Sequence, residues 1–347
     1  MRALVVTNMY PTAAAPATGT FVAAQVASLC DAGVEIELLH IDRDAGGRHV
    51  YRGLGDTVTK LVQAGDHDLV HAMYGGVMAD VVTRVVRDRP VLVSFCGTDM
   101  HGGMGNGVFE TLSLRYGVRA SRRAARRAAG VIVKSRNLFD ALPRSVDLSR
   151  VWIVPNGVDL ARFRPRDRSE CRRALGWDAA RTHVLFPALP QRPEKRFALA
   201  TAAVARLNRS AAHIELHALE RVPHDDVPLW VNAASAVLLT SVDEGSPNAV
   251  KEALACNVPV VSVDVGDVRE RIAGIDGCFI AAPTAEDLAA NLGRALEREA
   301  PIAGRERVAE VSLERIAEKV LEIYVQLTAA LATRRSRAAA RRTAAAG

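Results

Sequence analysis

The feature of this sequence that most restricts its fold is a repeated alternation of short apolar runs with longer helical stretches. The runs predicted as strands of a first series are Ala3–Thr7, Glu35–Ile41, Leu69–Ala72, Val91–Phe95, Val131–Lys134 and Val151–Val154. A second series comprises Val184–Phe186, Ile214–Ala218, Ala236–Thr240, Val258–Val263 and Cys278–Ala281. Strands that are apolar throughout and separated by helices indicate parallel sheets covered on both faces. We therefore predict an α/β fold with two doubly wound, Rossmann-like domains.

A polar, proline-containing stretch, Phe163–Ser169, interrupts the alternation and marks a domain boundary. The length of 347 residues suits two domains of about 150 residues each. We place the N-terminal domain at residues 1–165 and the C-terminal domain at residues 166–312. An amphipathic helix at residues 313–330 has no strand after it, so it either closes the second domain or crosses back onto the first. Doubly wound sheets bind ligands beyond the carboxyl ends of their strands, so we expect ligands that face an interdomain cleft.

Composition and cysteine use favour a cytoplasmic protein. The five cysteines are scattered without C-x-x-C spacing, so neither a disulfide framework nor a zinc site is expected. No run approaches the roughly 18 apolar residues that span a bilayer, and the N-terminus lacks the features of a signal peptide. The net charge of +6 includes a cluster of arginines near the C-terminus. Residues 331–347 combine these arginines with alanine and show no apolar periodicity, which predicts a disordered basic tail.

The segment after the third strand of the second series has the features of an anion-binding turn. Ala236–Thr240 is followed by Ser-Val-Asp-Glu-Gly-Ser-Pro-Asn, a helix-forming stretch and a further strand, which together make one βαβ unit. Ser246 is a suitable N-cap and Pro247 a suitable first helical residue, so we predict that the helix begins at Pro247. The free backbone N–H groups of Asn248 and Ala249 would then bind a diphosphate.

Two glutamates flank this turn. Glu244 lies on the loop at the carboxyl end of the strand, and Glu252 lies about a turn and a half into the helix. Carboxylates accept hydrogen bonds from sugar hydroxyls, and Gly245 lets a ligand approach the backbone closely. Together these features suit a polyhydroxylated ligand that carries phosphate. The simpler alternative is that acidic residues near a helix start only stabilise the helix dipole.

The order of strand, Glu-Gly-Ser-Pro-Asn, helix and second glutamate resembles the E-x7-E signature of family 4 retaining glycosyltransferases. The resemblance extends through VHAMYG, SFCGTD, VIVKS, VWIVPNGVDLARFRP and LFPALPQRPEKRF, which follow in the family's order. It is strongest towards the subgroup that acts in polysaccharide and teichuronic-acid-like assembly. The resemblance implies the two-domain GT-B architecture. It also implies transfer of a sugar from a nucleoside diphosphate sugar to a hydroxyl acceptor, such as a glycan, a lipid-linked sugar or a small metabolite.

The resemblance further implies which residues bind the donor. Glu244 would hold hydroxyls of the sugar, and Glu252 would hold those of the ribose. Backbone groups of Ser246–Ala249 would contact the sugar and the diphosphate. Gly19 resembles the glycine of a first-domain loop that closes over the diphosphate.

The family also places a basic pair against the diphosphate. Pro190 stands where the arginine of that pair is usual, so we assign the pair to Arg192 and Lys195, with a surface turn as the alternative. Two cations there would neutralise the charge that develops on the leaving group.

Three segments of the first domain match the family less closely. Asp99 stands at the position of the aspartate in the family's H-G-x-D segment, so we count it among the catalytic residues. Cys96 stands where the histidine of that segment is more usual. Asn156–Asp159 matches a turn between the domains and His71 lies near a strand end, and for both we expect structural roles.

The mechanism implied by the resemblance needs neither a metal nor another cofactor. Retention without an enzymic nucleophile indicates front-side attack through an oxocarbenium-like state, in which the departing diphosphate takes the proton of the acceptor. Positioning and preorganised positive potential would supply most of the rate enhancement. Neither Asp225-Asp226 nor the segment Asp264–Asp267 has the pattern and setting of a metal site.

A basic stretch in the first domain suggests a second kind of contact. Arginines recur there at helical spacing on one face, at Arg115, Arg119, Arg122, Arg123, Arg126 and Arg127. Of these, Arg119, Arg122, Arg123 and Arg126 are our candidates for contact with an anionic acceptor or with anionic lipid headgroups at the inner face of the membrane. A solvated helix face is the alternative. Nucleic-acid binding is not expected because aromatic residues do not interleave with the arginines.

Three other functions are alternatives to glycosyl transfer. A dinucleotide-dependent dehydrogenase needs G-x-G-x-x-G directly after a strand, and neither VVTNMYP nor GGMGNG at residues 102–107 meets that condition. An epimerase on the GT-B fold would share the nucleotide site but not the Glu-Gly-Ser-Pro-Asn block. A non-catalytic subunit that binds nucleotide sugars is the third alternative, and Cys96 is its best support.

Overall fold

The computed structural model describes residues 1–43, 47–103, 107–209, 213–298 and 300–346, with the side chains at 48, 332 and 334–346 left aside. The chain divides into two compact units, Met1–Pro155 with Glu314–Gly347, and Asn156–Leu313. The predicted boundary at residue 165 therefore lies beyond the structural one. The C-terminal helix belongs to the first unit, which was the second of our two alternatives.

The first unit contains a six-stranded parallel sheet with the order β2-β1-β3-β4-β5-β6. Its strands are β1 Arg2–Thr7, β2 Glu35–His40, β3 Leu69–Met73, β4 Val91–Phe95, β5 Gly130–Val133 and β6 Val151–Ile153. Its helices are α1 Thr20–Asp31, α2 Leu54–Ala64, α3 Gly76–Val85, α4 Thr98–His101, α5 Val108–Arg127, α6 Arg136–Asp140 and, from the end of the chain, α14 Leu313–Ala346. Short 3₁₀ turns occur at Gly47–Tyr51 and Leu148–Arg150.

The second unit contains a five-stranded parallel sheet with the order β11-β10-β9-β7-β8. Its strands are β7 Thr182–Phe186, β8 Ile214–Ala218, β9 Ala236–Leu239, β10 Val260–Val263 and β11 Phe279–Ala281. Its helices are α7 Arg168–Leu175, α8 Phe197–Asn208, α9 Val227–Ala233, α10 Asn248–Ala255, α11 Val268–Ile272, α12 Ala285–Leu296 and α13 Gly304–Val308. Its 3₁₀ turns lie at Pro193–Lys195, His224–Asp226 and Ala309–Val311.

The predicted strands are confirmed in both units, and their bounds differ by at most two residues from those in the structure. The reason is that the central strands β1, β3, β4, β5, β7, β9 and β10 are largely apolar and buried on both faces. In β4 and β9 every residue is buried, which is typical of a parallel strand with helices on either side. Each strand thus delivers the loop after its carboxyl end to one edge of its sheet, where doubly wound folds bind their ligands.

The last helix was predicted incorrectly in its second half. We expected disorder over residues 331–347, whereas the backbone of α14 is helical to Ala346, and Gly347 lies outside the described residues. Alanine and arginine are strong helix formers, so helical propensity continues the helix beyond Leu327, the last buried side chain among those described.

A buried histidine fixes α14 to the first sheet. His71 on β3 is fully buried, and its two ring nitrogens lie 2.7 Å from the Tyr324 hydroxyl and 2.8 Å from Ser94 Oγ. Burial, aided by the charge of Lys134, lowers the pKa of His71 to about 3, so the ring is neutral at physiological pH. This is the structural role that we predicted for His71.

Candidate functional site

The turn between β9 and α10 contains the glutamates and the helix start that the sequence singled out. The helix begins at Asn248, with Pro247 as its N-cap at φ −65° and ψ 119°, and no side chain caps it. The prediction that Ser246 caps the helix is therefore wrong, and the start lies one residue later than expected. The first N–H groups of α10, at Asn248 and Ala249, have no acceptor within the helix, as in any α-helix.

Ser246 instead belongs to a buried polar network behind the turn. Its hydroxyl lies 2.7 Å from Lys251 Nζ and 2.9 Å from Asp267 Oδ2, and Asp267 also accepts a hydrogen bond from Arg271 at 3.0 Å. Lys251 is fully buried. Because a buried charge must be paired and hydrogen-bonded, this network fixes the backbone of the turn in one arrangement.

Gly266, in the turn after β10, packs directly against the glutamate turn. A Cβ atom at Gly266 would lie 2.7 Å from the carbonyl oxygen of Gly245 and 3.1 Å from that of Glu244. Its φ of +58° is also one that side chains rarely adopt. The sequence analysis did not identify this residue, because only the structure brings the loops after β9 and β10 together.

Glu244 and Lys195 form an ion pair at the mouth of the turn. The Lys195 ammonium donates to Glu244 Oε1, which also accepts a hydrogen bond from Ser241 Oγ at 2.7 Å. Only 14% of the Lys195 side chain and 15% of the Glu244 side chain are exposed. The structure therefore brings together two residues that lie 49 positions apart and that the sequence analysis assigned to one site. Ser241 was not predicted.

Backbone contacts hold the lysine turn against the glutamate turn. Arg196 has a left-handed conformation and donates to the carbonyl oxygens of Thr240 and Ser241, the latter at 2.9 Å. Thr240 Oγ1 donates to the carbonyl oxygen of Lys195 at 2.7 Å, and the N–H of Val242 donates to that of Glu194 at 2.8 Å. The position of Lys195 is thus set by the backbone rather than by its side chain alone.

The second member of the predicted basic pair lies elsewhere. Arg192 donates to Glu194 at 2.7 Å, and 53% of its side chain is exposed. Its guanidinium is held by Glu194, two residues further along the same loop. The structure therefore brings Lys195 to the glutamate turn and holds Arg192 on its own loop.

Two further polar groups face the start of α10. Glu252 is partly exposed, and burial raises the pKa of its carboxyl to about 7, an effect that the charges of Lys251 and Arg162 oppose. Asn248 Oδ1 is buried and accepts no hydrogen bond from any described residue. Asn248 Oδ1 can therefore bind a ligand group without first losing a protein partner.

In the first unit, the predicted catalytic aspartate has a structural environment. Asp99 is 5% exposed, and its carboxylate accepts hydrogen bonds from the backbone N–H groups of Gly75, Cys96 and Gly97 at 2.8 to 3.1 Å. Burial raises its pKa, whereas these N–H groups act in the opposite direction. This placement favours a positioning role, in which Asp99 shapes the loops after β3 and β4, over the direct role that we predicted.

Gly19 lies beside a polar cavity at the carboxyl ends of β1 and β2. It is the N-cap of α1 with a φ of +69°, and a Cβ atom there would lie 2.2 Å from the carbonyl carbon of Met9. The cavity has a volume of about 350 Å³, and its lining includes Asn8, Thr18 and His40. Asn8 Oδ1 is buried and has no hydrogen-bond partner among the described residues. Gly19 thus sets the shape of this loop.

The basic stretch forms α5, but its arginines do not all face outwards. Arg123 donates to Asp80 on α3 at 2.9 Å, and Arg127 also pairs with that carboxylate. The prediction that Arg123 belongs to an exposed cationic face is therefore corrected, because α3 supplies the acidic partner that the local sequence lacks.

The outward face of α5 has two halves. Its second half carries the exposed Arg119, Arg122 and Arg126, of which Arg126 donates to Ser145 at 2.8 Å, and the exposed Arg115 lies just before Tyr116 in the first half. Its first half exposes apolar side chains, with exposed fractions of 74% for Val108, 86% for Phe109, 55% for Leu112 and 55% for Tyr116. The sequence analysis did not identify this apolar half. Among the described helices, none is both long and apolar enough to cross a membrane.

Comparison with known proteins agrees with this architecture. A family model described as Glycosyltransferase Family 4 matches residues 11–162, and one described as Glycosyl transferases group 1 matches residues 181–298. Two doubly wound units with these matches define the GT-B fold. The chain thus carries a Glycosyltransferase Family 4 domain followed by a Glycosyl transferases group 1 domain.

Two curated relatives illustrate the range of similar sequences. The D-inositol 3-phosphate glycosyltransferase of Frankia alni (strain DSM 45986 / CECT 9034 / ACN14a) is 30% identical over 196 residues, which cover 47% of each chain. The TuaC glycosyltransferase of Bacillus subtilis (strain 168), whose name assigns it to teichuronic acid biosynthesis, is 26% identical over 70% of this chain and 66% of TuaC. The chain spans about half the length of the inositol phosphate relatives that it matches first.

Solved structures share the fold at low sequence identity. Sucrose-phosphate synthase from Thermosynechococcus elongatus has a TM-score of 0.74 and 18% identity, over 95% of this chain and all of that one. Anabaena HepE, solved in complex with UDP-glucose, has a TM-score of 0.62 and 17% identity, over 96% of this chain and all of that one.

Proposed function

We propose that this protein is a retaining glycosyltransferase that moves a sugar from a nucleoside diphosphate sugar to a hydroxyl acceptor. The observation that carries the proposal is the Lys195–Glu244 pair beside the first N–H groups of α10. A cation, a carboxylate and a helix N-terminus provide, within one unit, groups complementary to a diphosphate and to sugar hydroxyls. The family matches and the UDP-glucose bound to HepE support the same donor class.

The donor roles follow from where each side chain lies. Glu244 accepts hydrogen bonds from sugar hydroxyls, and Lys195 moves from Glu244 onto the diphosphate when the donor binds. Backbone groups of Ser246–Ala249, among them the N–H groups of Asn248 and Ala249, contact the sugar and the diphosphate, which Gly245 allows to approach. Glu252 accepts from the ribose.

The proposed chemistry is front-side displacement with retention. As the bond between the sugar and the diphosphate breaks, negative charge grows on the leaving oxygen, and Lys195 and the helix N-terminus stabilise it. The acceptor oxygen attacks the oxocarbenium-like carbon from the same face, and its proton passes to the leaving diphosphate. Arg192 is exposed on the same loop and reaches the diphosphate only by leaving Glu194.

Transfer is proposed to need no metal ion, because Lys195 and the N–H groups supply the positive potential within protein groups. Transfer measured in excess EDTA should therefore equal transfer in Mg²⁺. Loss of transfer on chelation that Mg²⁺ or Mn²⁺ restores would contradict this part of the proposal.

The acceptor is proposed to bind the first unit at the cavity beside Gly19. Asn8 offers a buried carbonyl oxygen without a partner among the described residues, and such a group suits an acceptor hydroxyl. The names of the relatives point to a polyhydroxylated acceptor, an inositol phosphate in one case and a polysaccharide in the other.

The enzyme is proposed to work in the cytoplasm and to contact anionic lipid through α5. The outward face of this helix joins exposed apolar residues, including Phe109 and Leu112, to exposed arginines, including Arg119 and Arg122. Such a face lies in the membrane interface, with apolar side chains among the acyl chains and arginines at the headgroups.

The direct test is a transfer assay with a panel of UDP-, GDP- and ADP-sugars. A thermal-shift screen first selects the donor that stabilises the protein most, and release of its diphosphate is then measured with and without acceptor. In Glu244→Gln we expect turnover to fall by about 100-fold, because the charged carboxylate that accepts hydrogen bonds from the sugar hydroxyls is lost.

The matched control is Glu220→Gln, which changes an exposed glutamate of the same unit that bonds Gln191. It should retain full turnover. Turnover of Glu244→Gln equal to that of the wild type would refute the assignment of the site. Tight donor binding without transfer to any acceptor would instead favour a non-catalytic subunit, and exchange of the sugar's configuration would favour an epimerase.

A further inference from the structure

Away from the glutamate turn, three side chains that commonly bind metals meet on one face of the second sheet. His183 lies on β7, and Glu215 and His217 lie on β8. The parallel register pairs His183 with Glu215. Since side chains two positions apart on a strand share a face, His217 stands on the same side. One potential ligand atom from each residue lies within 4.8 Å of the others.

The hydrogen bonds of His183 determine which of its nitrogens faces the cluster. Its Nε2 lies 2.8 Å from the carbonyl oxygen of Asp178, so this nitrogen carries the proton and donates it. Nδ1 is then unprotonated in the neutral ring. It lies 2.8 Å from His217 Nε2 and 3.9 Å from Glu215 Oε2. A backbone carbonyl that holds the second ring nitrogen is the usual support of a metal-binding histidine.

Aromatic packing holds the second histidine in place. The Trp177 ring stacks on His217, with 3.7 Å between centroids and an angle of 6° between the planes. Trp230 in turn contacts Trp177 edge-on at 5.5 Å. His183 is completely buried, whereas 43% of the Glu215 side chain is exposed. The two imidazoles are thus preorganised, and solvent reaches the cluster past the carboxylate.

We propose that His183, Glu215 and His217 bind a divalent first-row transition metal, with Zn²⁺ as the natural occupant. Zinc takes tetrahedral sites with nitrogen and oxygen ligands at about 2.0–2.2 Å, which places ligand atoms roughly 3.3 Å apart. The separations of 2.8 and 3.9 Å lie on either side of that value. On binding, the ion replaces the proton that His217 Nε2 donates to His183 Nδ1. His217 then carries its proton on Nδ1, and no net proton is released.

The proposed ion joins two strands rather than acting on the donor. His183 and the β8 residues lie within the strands, whereas Lys195 and Glu244 lie on loops beyond the carboxyl ends of β7 and β9. Because β8 is the edge strand of its sheet, a metal bound across β7 and β8 would fasten that edge. Metal binding at this cluster is therefore separable from the glycosyl transfer proposed above.

The test uses the full chain without a histidine tag, freed of metal by a chelator and titrated with ZnCl₂ in a calorimeter. We expect one ion per chain with micromolar or tighter affinity, and a raised Tm. Co²⁺ serves as a spectroscopic probe, and its spectrum should lack the charge-transfer band of a cysteine thiolate. The absence of this band would show that the ion is not bound by a cysteine. This control is needed because five cysteines are free and Cys30 is exposed.

Two variants and one control make the result specific. His217→Gln and Glu215→Gln keep a polar side chain of similar size and should each weaken zinc binding by at least about 100-fold. His101→Gln changes an exposed histidine of the first unit and should bind as the wild type does. Quenching of tryptophan fluorescence by Cu²⁺ gives a second readout, since Trp177 stacks on His217. Trp177→Phe should remove most of this quenching.

The proposal is overturned if the wild type shows no saturable binding below millimolar zinc. It is equally overturned if both glutamine variants bind as tightly as the wild type while remaining folded, or if cobalt shows a thiolate band. In those cases the cluster is a hydrogen-bonded histidine pair only.

Discussion

Asp99 and Glu244 occupy equivalent places in the two units and differ in every other respect. Each follows the carboxyl end of a central parallel strand, Asp99 in the short helix α4 after β4 and Glu244 in the loop after β9. The Asp99 carboxylate is enclosed by three backbone N–H groups of its own unit. The Glu244 carboxylate meets side chains, Lys195 and Ser241, at a turn with a helix start beside it. The backbone donors around Asp99 indicate a structural role. Glu244 can instead exchange its side-chain partners for a ligand.

The loops that support the two carboxylates also differ. The glutamate turn is fixed from behind by Ser246, Lys251, Asp267 and Gly266, so its front can remain open. In the first unit the Asp99 carboxylate itself holds the backbone after β3 and β4 in place. We therefore expect changes behind the glutamate turn to alter donor binding, and changes at Asp99 to alter stability.

The largest expected effect is that of Gly266→Ala on donor binding. The new methyl group would lie 2.7 Å from the Gly245 carbonyl oxygen, and the left-handed backbone adds about 1–2 kcal/mol of strain. The turn must shift, and the affinity for the selected donor, measured by calorimetry, should fall by about 100-fold. Gly274→Ala is the control, because Gly274 has a φ of +75° but no neighbour within 4 Å. Equal donor affinity in the two variants would contradict the supporting role of Gly266.

The next effect in size is that of Asp99→Asn on stability. The amide can accept through only one oxygen and brings an N–H group towards backbone donors, so the free energy of unfolding should fall by about 2 kcal/mol. Donor affinity should stay within twofold of the wild type. Asp140→Asn, at an exposed residue of the same unit, should change neither quantity. Normal stability combined with lost transfer would show that Asp99 acts directly on a substrate.

A smaller effect is expected for membrane contact by the first unit. In Arg119→Glu/Arg122→Glu, sedimentation with vesicles of phosphatidylcholine and phosphatidylglycerol should fall by at least about tenfold, since each basic residue near the surface contributes about 1 kcal/mol. The exposed pair Arg144→Glu/Arg173→Glu carries the same charge change and should have little effect. No sedimentation of the wild type at low salt would remove the membrane proposal.

The smallest effect is the pH dependence contributed by Glu252. Burial raises its pKa from the ordinary glutamate value of 4.5 to about 7 in the folded protein, so the folded state binds this proton more tightly. The stability that Glu252 contributes is therefore fully present below pH 4.5 and lost as the pH rises through about 7. Affinity for a nucleotide sugar, whose diphosphate does not titrate in this range, should change a fewfold between pH 6 and 8. Glu252→Gln should remove that change, and an unchanged pH profile in the variant would contradict the assignment.

The strands and the glutamate turn were predictable because their signals are local. Buried parallel strands are contiguous apolar runs, and Glu244, Gly245 and the helix start lie within a few residues of each other. The start of α10 was misplaced by one residue because Ser246, a good N-cap by type, is used by Lys251 and Asp267 instead.

Features that depend on contacts between distant segments were not predictable. Gly266 matters only because its turn meets Gly245, and Arg123 is paired because Asp80 lies on a neighbouring helix. The His183 cluster depends on the register of β7 and β8, which no local pattern specifies. The disorder expected for the tail followed from its lack of apolar periodicity, which is not the same as a lack of helical propensity.

The central claim is that the turn between β9 and α10 holds the donor diphosphate. Hydrogen–deuterium exchange with and without UDP, and in parallel with GDP, tests it most directly. With the nucleotide that binds, peptides covering residues 190–197 and 240–252 should become protected, and those covering the Asp99 loop and α5 should not change. Protection confined to the first unit, or none at saturating nucleotide in the second, would contradict the account.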